Sequence, residues 1–304
     1  MSRIKEWEEL TICDNFLFQK VMQNKRICKR LLQKLLNIRI KDIFYPETEK
    51  NIELSSVSKS VRLDVFVVTD EGIVFDVEMQ VTSGVSGELP HRMRYYQAMI
   101  DLEVLGKGKD YVELNQTIVI FICTFDPFGL GEKVYTFTNR CHECDDLELG
   151  DGTMKIFLNA KGTVGNVDED IDKFLAYVNG KAAEGEFTRD IAAEVAKLKR
   201  HEETRLEYMT LMMELKAQRR EGYAEGEKVG VAKNQMANAL SMFADKFSVD
   251  QVAKYTHLSL QEATEIGKKH GYLSPSERIH APRHAVRSAE RPFPCHDIRP
   301  AVFR

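Results

Sequence analysis

The sequence predicts an α/β fold with a mixed sheet, followed by a helical C-terminal arm, and three observations carry that prediction. Residues 61–80, VRLDVFVVTDEGIVFDVEMQ, alternate apolar side chains on either side of Asp70-Glu71-Gly72, the pattern of a β-hairpin whose short loop closes on a glycine. Residues 89–104 then carry apolar side chains at helical spacing, and residues 116–125, QTIVIFICTF, form a nearly continuous β-branched run of the kind covered on both faces. A helix crossing from the hairpin's second strand to that run places it parallel in the same sheet, whereas the hairpin itself is antiparallel.

Length and composition bound the function classes. A chain of 304 residues holds one full domain and a smaller appendage; its 30% charged and 43% hydrophobic content is ordinary for a globular protein. The net charge of −4 does not mark a nucleic-acid binder, so any such contact needs a local patch. Six cysteines without a framework point to a reducing compartment. The charged start and the lack of an apolar run of roughly 18 residues argue against a leader or membrane span, so the expected location is cytoplasmic.

Taken in order, residues 14–37 carry Phe16, Val21, Ile27, Leu31, Leu32, Leu35 and Leu36 at near-helical spacing, which predicts two short helices broken near Asn24. Asp14 reads as an N-cap. Lys20, Lys25, Arg26, Lys29, Arg30, Lys34, Arg39 and Lys41 make the polar side basic, either a phosphate-binding cluster or a solvated face. Residues 38–60 read as an irregular entry and a first strand, with Glu47, Glu49 and Glu53 as candidate extra ligands.

In the hairpin, pairing Thr69 with Ile73 sets Val67 opposite Phe75, Val65 opposite Val77, Leu63 opposite Met79 and Val61 opposite Val81, one apolar face. The other face then pairs Asp64 with Glu78 and Arg62 with Gln80. Two carboxylates starting about 5 Å apart destabilise a sheet unless something compensates them. Either Arg62 and solvent do so, or a hard divalent cation, which takes oxygen ligands from one or two carboxylates and completes its shell with water and phosphate.

Residues 82–88 form a Ser/Gly-rich loop. The helix of residues 89–104 has Met93, Tyr96, Ile100 and Val104 as its apolar stripe, with Arg92, Tyr95 and Gln97 pointing elsewhere. Residues 134–139 and 154–159 are further strand candidates. Between them, a lone Cys141-His-Glu-Cys144 lacks the second ligand pair of a structural zinc site and reads as a polar loop. Residues 164–179 include a short helix, and residues 190–220 carry long, charged helical segments. Gly222, Gly226 and Gly230 recur every fourth residue, giving either close helix packing in a dimer or a loosened, solvated helix. Residues 236–247, a Ser248-capped helix and a Ser259-capped helix form a small module similar to helix-turn-helix architecture. From Ser274 the usage changes to Arg, Pro and His without periodicity, a disordered tail outside the fold.

Asp64 followed by Glu78-x-Gln80 resembles the Asp…(Asp/Glu)-x-Lys core of the PD-(D/E)XK nuclease superfamily. The stretch RLDVFVVTDEGIVFDVEMQ, the helix HRMRYYQAMID and the later string RLEYMTLMMELKAQRREGYAEGEKVG are similar to the recombination-promoting nuclease and transposase family of bacteria, over roughly residues 14–230. That resemblance implies a restriction-endonuclease-like α/β/α core and a metal-dependent DNA endonuclease linked to recombination or mobile elements. In that reading Asp64 and Glu78 hold the metal, with Mg²⁺ expected and Mn²⁺ or Ca²⁺ as alternatives. Gln80, standing where many superfamily members have Lys, positions a water, and Arg92 and Tyr95 engage phosphate. An amide can orient a water but cannot carry the positive charge of Lys; the resembling family itself favours Gln here, so Gln80 reads as a variant. A second function, of a different class, is a catalytically inactive, nuclease-derived DNA-binding or regulatory protein. The implied organisation is a nuclease-like domain at 1–160, a helical arm at 161–233, the small module at 234–273 and the tail at 274–304, with DNA as partner and homo-oligomerisation through the C-terminal helices.

Overall fold

A computed structural model describes residues 3–45, 51–52, 61–84 and 87–274. The chain divides into two compact units, Met1–Met212 and Met213–Arg304.

The first unit opens with helices α1 (Asn15–Met22) and α2 (Lys25–Leu36), separated where Asn24 caps α2 by accepting from the Arg26 N–H at 3.2 Å. Asp14 occupies the N-cap position of α1 but does not cap it: its carboxylate turns back to the Thr11 N–H and to Lys5. The strands are β1 (Ile43–Phe44), β2 (Asn51–Ile52), β3 (Val61–Arg62), β4 (Val65–Thr69) and β5 (Val74–Gln80). Helix α3 (Glu88–Val104) then leads to β6 (Thr117–Cys123), β7 (Val134–Phe137) and β8 (Thr153–Asn159). Helices α4 (Glu169–Val178), α5 (Gly185–Arg200) and α6 (Glu202–Ala244) follow.

Six strands form one mixed sheet in the order β1-β4-β5-β6-β8-β7. β5, β6 and β8 are mutually parallel; β1 with β4, β4 with β5 and β7 with β8 are antiparallel. The α3 crossover therefore delivers β6 parallel to β5, as expected from its continuous apolar run. One face of the sheet packs Val65, Val67, Phe75, Val77 and Met79 against α1, α2, α4 and α5. The other packs Phe66, Val74, Val119 and Phe121 against Leu89, Met93, Met99 and Ile100 of α3. The result is an α/β/α sandwich consistent with a restriction-endonuclease-like fold.

Hairpin β4–β5 adopts the expected register, Val65 opposite Val77 and Val67 opposite Phe75. Gly72 closes its loop at φ +80°, a conformation that a residue with a Cβ resists. Beyond Val65 the expectation fails. Val61 and Arg62 pair with Ile52 and Asn51 in a separate two-stranded sheet, not with Val81 and Gln80, and Leu63 packs with the α3-side core. The reason is local: the Asp64 N–H is taken by the Glu78 side chain, so the ladder stops there and the chain leaves the sheet. On α3, Gln97 is buried and donates to Asp101 at 2.9 Å, where the periodicity had it pointing away.

The unit extends past the boundary expected at residue 160. Ile171, Phe174 and Leu175 of α4, Phe187 and Ile191 of α5 and Tyr208 of α6 are buried in the same core as α1 and α2. Tyr208 also donates to the Lys5 carbonyl at 2.6 Å and packs on Trp7 and Phe16.

The second unit comprises the later part of α6, α7 (Val249–Thr256) and α8 (Leu260–Lys269), closed on Ala239, Phe243, Val252, Ala253, Ala263 and Leu273. Ser248 and Ser259 cap α7 and α8 in reciprocal boxes with Gln251 and Glu262, as expected. Gly222, Gly226 and Gly230 sit within continuous helix with open space where a Cβ would be. The exposed positions of α8 include Gln261, Glu262 and Glu265. The candidates Glu47, Glu49 and Glu53 and the tail from residue 275 lie outside the described residues.

Candidate active site

The face of β5 turned toward α3 carries Asp76, Glu78 and Gln80 in succession, because side chains two apart on a strand share a face. Their exposures are 0%, 3% and 6%, so this is a buried polar row and not the solvated face that was the other option for the hairpin. Asp64, half-buried at the end of β4, completes the group.

Asp64 and Glu78 are not a simple cross-strand pair. Glu78 Oε1 accepts from the Asp64 N–H at 2.7 Å, while Asp64 Oδ2 accepts from the Met79 N–H at 3.2 Å. Each carboxylate thus holds the other strand's main chain, replacing the ladder bonds that end at Val65. Asp64 Oδ1 further accepts from Gln19 Nε2 of α1 at 2.7 Å.

Across the groove, Arg92 of α3 donates to Gln80 Oε1 and lies over two aromatic rings, 5.3 Å from the Phe121 centroid and 5.8 Å from that of Tyr96. Gln80 and Arg92, which sequence reasoning placed in the same site, are therefore joined directly. Tyr95 is half-buried against the α3-side core. The hydroxyl of its neighbour Tyr96 is pushed above the usual phenol range by burial and then by the nearby Glu78 charge.

Electrostatics set this row apart. Burial, then the adjacent Asp64 charge, push the Asp76 carboxyl well above the usual carboxylate range. Burial, then Asp76 and Asp64, do the same to Glu78. Among the described residues the cation that offsets them is Arg92. Among the described residues neither oxygen of Asp76 has a standing hydrogen-bond donor, and the Glu78 carboxyl can partner it only when one of the two carries a proton.

Asp76 and Gln19 were missed in the sequence. Asp76 had a signal, the alternation Asp76-x-Glu78-x-Gln80 that puts all three on one strand face. Gln19 had none, being a neutral amide on a helix 45 residues before its partner.

Half of the basic cluster of α1 and α2 is ion-paired within the unit. Lys20 of α1 pairs with Glu207 of α6, Arg26 with Asp190, Arg30 with Asp170, Glu186 and Asp190, and Lys34 with Asp168 and Asp170. Arg26, Arg30 and Lys34 tie α2 to α4 and α5, while Lys25, Arg39 and Lys41 stay exposed. Cys141 and Cys144 lie in the loop between β7 and β8 as free cysteines.

The donor set fits a hard divalent cation. It consists of carboxylate oxygens with no soft ligand, and it includes the buried Asp76 carboxyl, whose one partner among the described residues is the Glu78 carboxyl. Among the described residues no three such side chains already surround a common point. Sites for Mg²⁺ commonly use one or two carboxylates and leave the remaining shell to water and phosphate.

A family model described as a PD-(D/E)XK nuclease family transposase matches residues 15–239. No curated protein and no solved structure matches the chain. Among the described residues no helix is long and apolar enough to cross a membrane.

Proposed function

This chain belongs to the PD-(D/E)XK nuclease transposase family, and on that premise we propose that it is a divalent-metal-dependent DNA endonuclease serving recombination or the movement of mobile elements. The observation that carries the reading is the interlocked Asp64–Glu78 pair, two carboxylates fixed on each other's main chain beside the joined Gln80 and Arg92.

In this reading Asp64 and Glu78 hold the cation, with Mg²⁺ the natural occupant. When bound, it supplies Lewis-acid stabilisation of the phosphodiester and activates a water for attack. The chain's own residues do the rest. Gln19 and the Met79 N–H keep Asp64 in one orientation. The Gln80 amide group, its oxygen engaged by Arg92, orients the attacking water through its NH₂. Arg92 brings to this position the positive charge that Gln80 lacks, and so stabilises charge building on the phosphate. The Tyr95 hydroxyl anchors the neighbouring phosphate. Association through the C-terminal helices completes the proposal, and light scattering on the full chain tests it.

The decisive experiment is nicking and linearisation of supercoiled plasmid with Mg²⁺, Mn²⁺, Ca²⁺ or EDTA, comparing wild type with Asp64→Ala and Glu78→Ala. Cation-dependent cutting lost in both variants is the expected result. Plasmid bound but uncut under every cation would replace this reading with that of an inactive DNA-binding relative.

A further inference from the structure

The three carboxyls of the site are unequally committed. Both Asp64 oxygens are in use, one on Gln19 and one on the Met79 N–H, and Glu78 is engaged by the Asp64 N–H. Asp76 lies deepest, at 0% exposure, and among the described residues neither of its oxygens meets a donor apart from the Glu78 carboxyl, which serves only when one of the two carries a proton. Burying a carboxyl with no hydrogen bond is among the costliest things a core can contain, and such groups persist where they ligate or neutralise something. Asp64 and Glu78 stand beside Asp76, and among the described residues the cation that faces this row is Arg92.

We propose that Asp76 is a third carboxylate ligand of the cation, on the buried side of the Asp64–Glu78 pair, and that it lets the chain hold a divalent ion before any nucleic acid arrives. The proposal rests on the metal-site reading above and deepens it. Because no three side chains yet surround one point, occupancy requires a side chain to move. Asp76 is the member that moves without giving up a hydrogen bond. A site built from two carboxylates alone would leave Asp76 uncompensated and would depend on the substrate phosphate to complete the shell.

The test uses the full chain stripped with EDTA and titrated with Mn²⁺ alone. Calorimetry and the electron paramagnetic resonance of free Mn²⁺ count the bound ion. Wild type is compared with Asp76→Asn, Asp76→Val, Asp64→Asn and Glu78→Gln, with circular dichroism confirming the fold of each. The Asn variant keeps the shape and the Val variant removes the polar group, so at least one is expected to fold. The expected result is one Mn²⁺ bound by wild type without DNA, and at least a tenfold loss of affinity in both Asp76 variants. Wild-type affinity in a folded Asp76 variant, while Asp64→Asn and Glu78→Gln lose it, would overturn this inference and leave the two-carboxylate site standing. No Mn²⁺ uptake by wild type, with or without a DNA duplex, would remove the metal site itself and this inference with it.

Discussion

Replacing Glu78 by Gln and by Ala separates two things that one side chain does, bearing charge and holding the main chain. Glu78 is 3% exposed and accepts from the Asp64 N–H at 2.7 Å. In EDTA at pH 8 the wild type carries a cost either way: it keeps a charge beside Asp76 and Asp64, or it takes up a proton against the solution pH. Two carboxylates about 5 Å apart repel by about 3 kcal/mol at an effective dielectric of about 20, an upper bound once relaxation is allowed. Glu78→Gln removes that cost and keeps an oxygen for the Asp64 N–H, so it is expected to be more stable than wild type by about 1–3 kcal/mol. Glu78→Ala removes the same cost but orphans the amide, about 1–3 kcal/mol, and opens a cavity; it should fall about 2–4 kcal/mol below Glu78→Gln. Urea unfolding followed by tryptophan fluorescence reads this directly, because the one tryptophan, Trp7, is buried in the first unit. Added Mn²⁺ should raise wild type and leave Glu78→Gln unmoved. A Glu78→Gln variant no more stable than wild type in EDTA would refute the argument that this row is electrostatically frustrated without a cation.

Three further outcomes are expected. Burial pushes the Asp126 carboxyl up, but the amides of Gly131, Phe128 and Gly129 and the Tyr135 hydroxyl outweigh it and hold it below the usual value of 3.8. Its contribution is therefore present above pH 3.8 and lost as pH falls through the lowered value; Asp126→Asn should cost about 1–2 kcal/mol at pH 7, with the gap closing in acid unfolding curves. Arg92→Lys keeps a charge but not the fork that reaches Gln80 while lying over Phe121, so plasmid cutting should drop by about tenfold or more with little change in stability, and Arg92→Met by more. At Gly162 an added Cβ would stand 2.6 Å from the Glu132 carbonyl oxygen and from Lys133 Cα, so Gly162→Ala must shift backbone and should destabilise by about 1–3 kcal/mol in the same urea assay.

The hairpin register was legible because turn and alternation specify it together, and the parallel placement of β6 followed from the crossover. The pairing of Asp64, Glu78, Gln80 and Arg92 in one place was legible for the same reason: three of the four lie on the hairpin. What the alternation rule could not see was its own end. It extended the ladder to Val61, but a side-chain acceptor on Glu78 outcompeted the strand partner at Asp64 and released the chain toward β2. Charge patterning on α2 left a phosphate patch and a solvated face both open, and it could not show that Arg30 and Lys34 meet acids of the α4 region over 130 residues away. Such long-range partners leave no trace in local composition.

The mutual grip of Asp64 and Glu78 also governs how this lineage can drift. Because each side chain secures the opposite strand's backbone, losing either to a small apolar residue damages folding as well as cutting, and selection for a soluble chain resists that step even where cleavage no longer matters. Asn and Gln keep the acceptors and discard the charge. A relative that has given up chemistry while still gripping DNA is thus expected to carry amides in place of Asp64 and Glu78, and a reader of genomes can sort silent members from working ones by that signature.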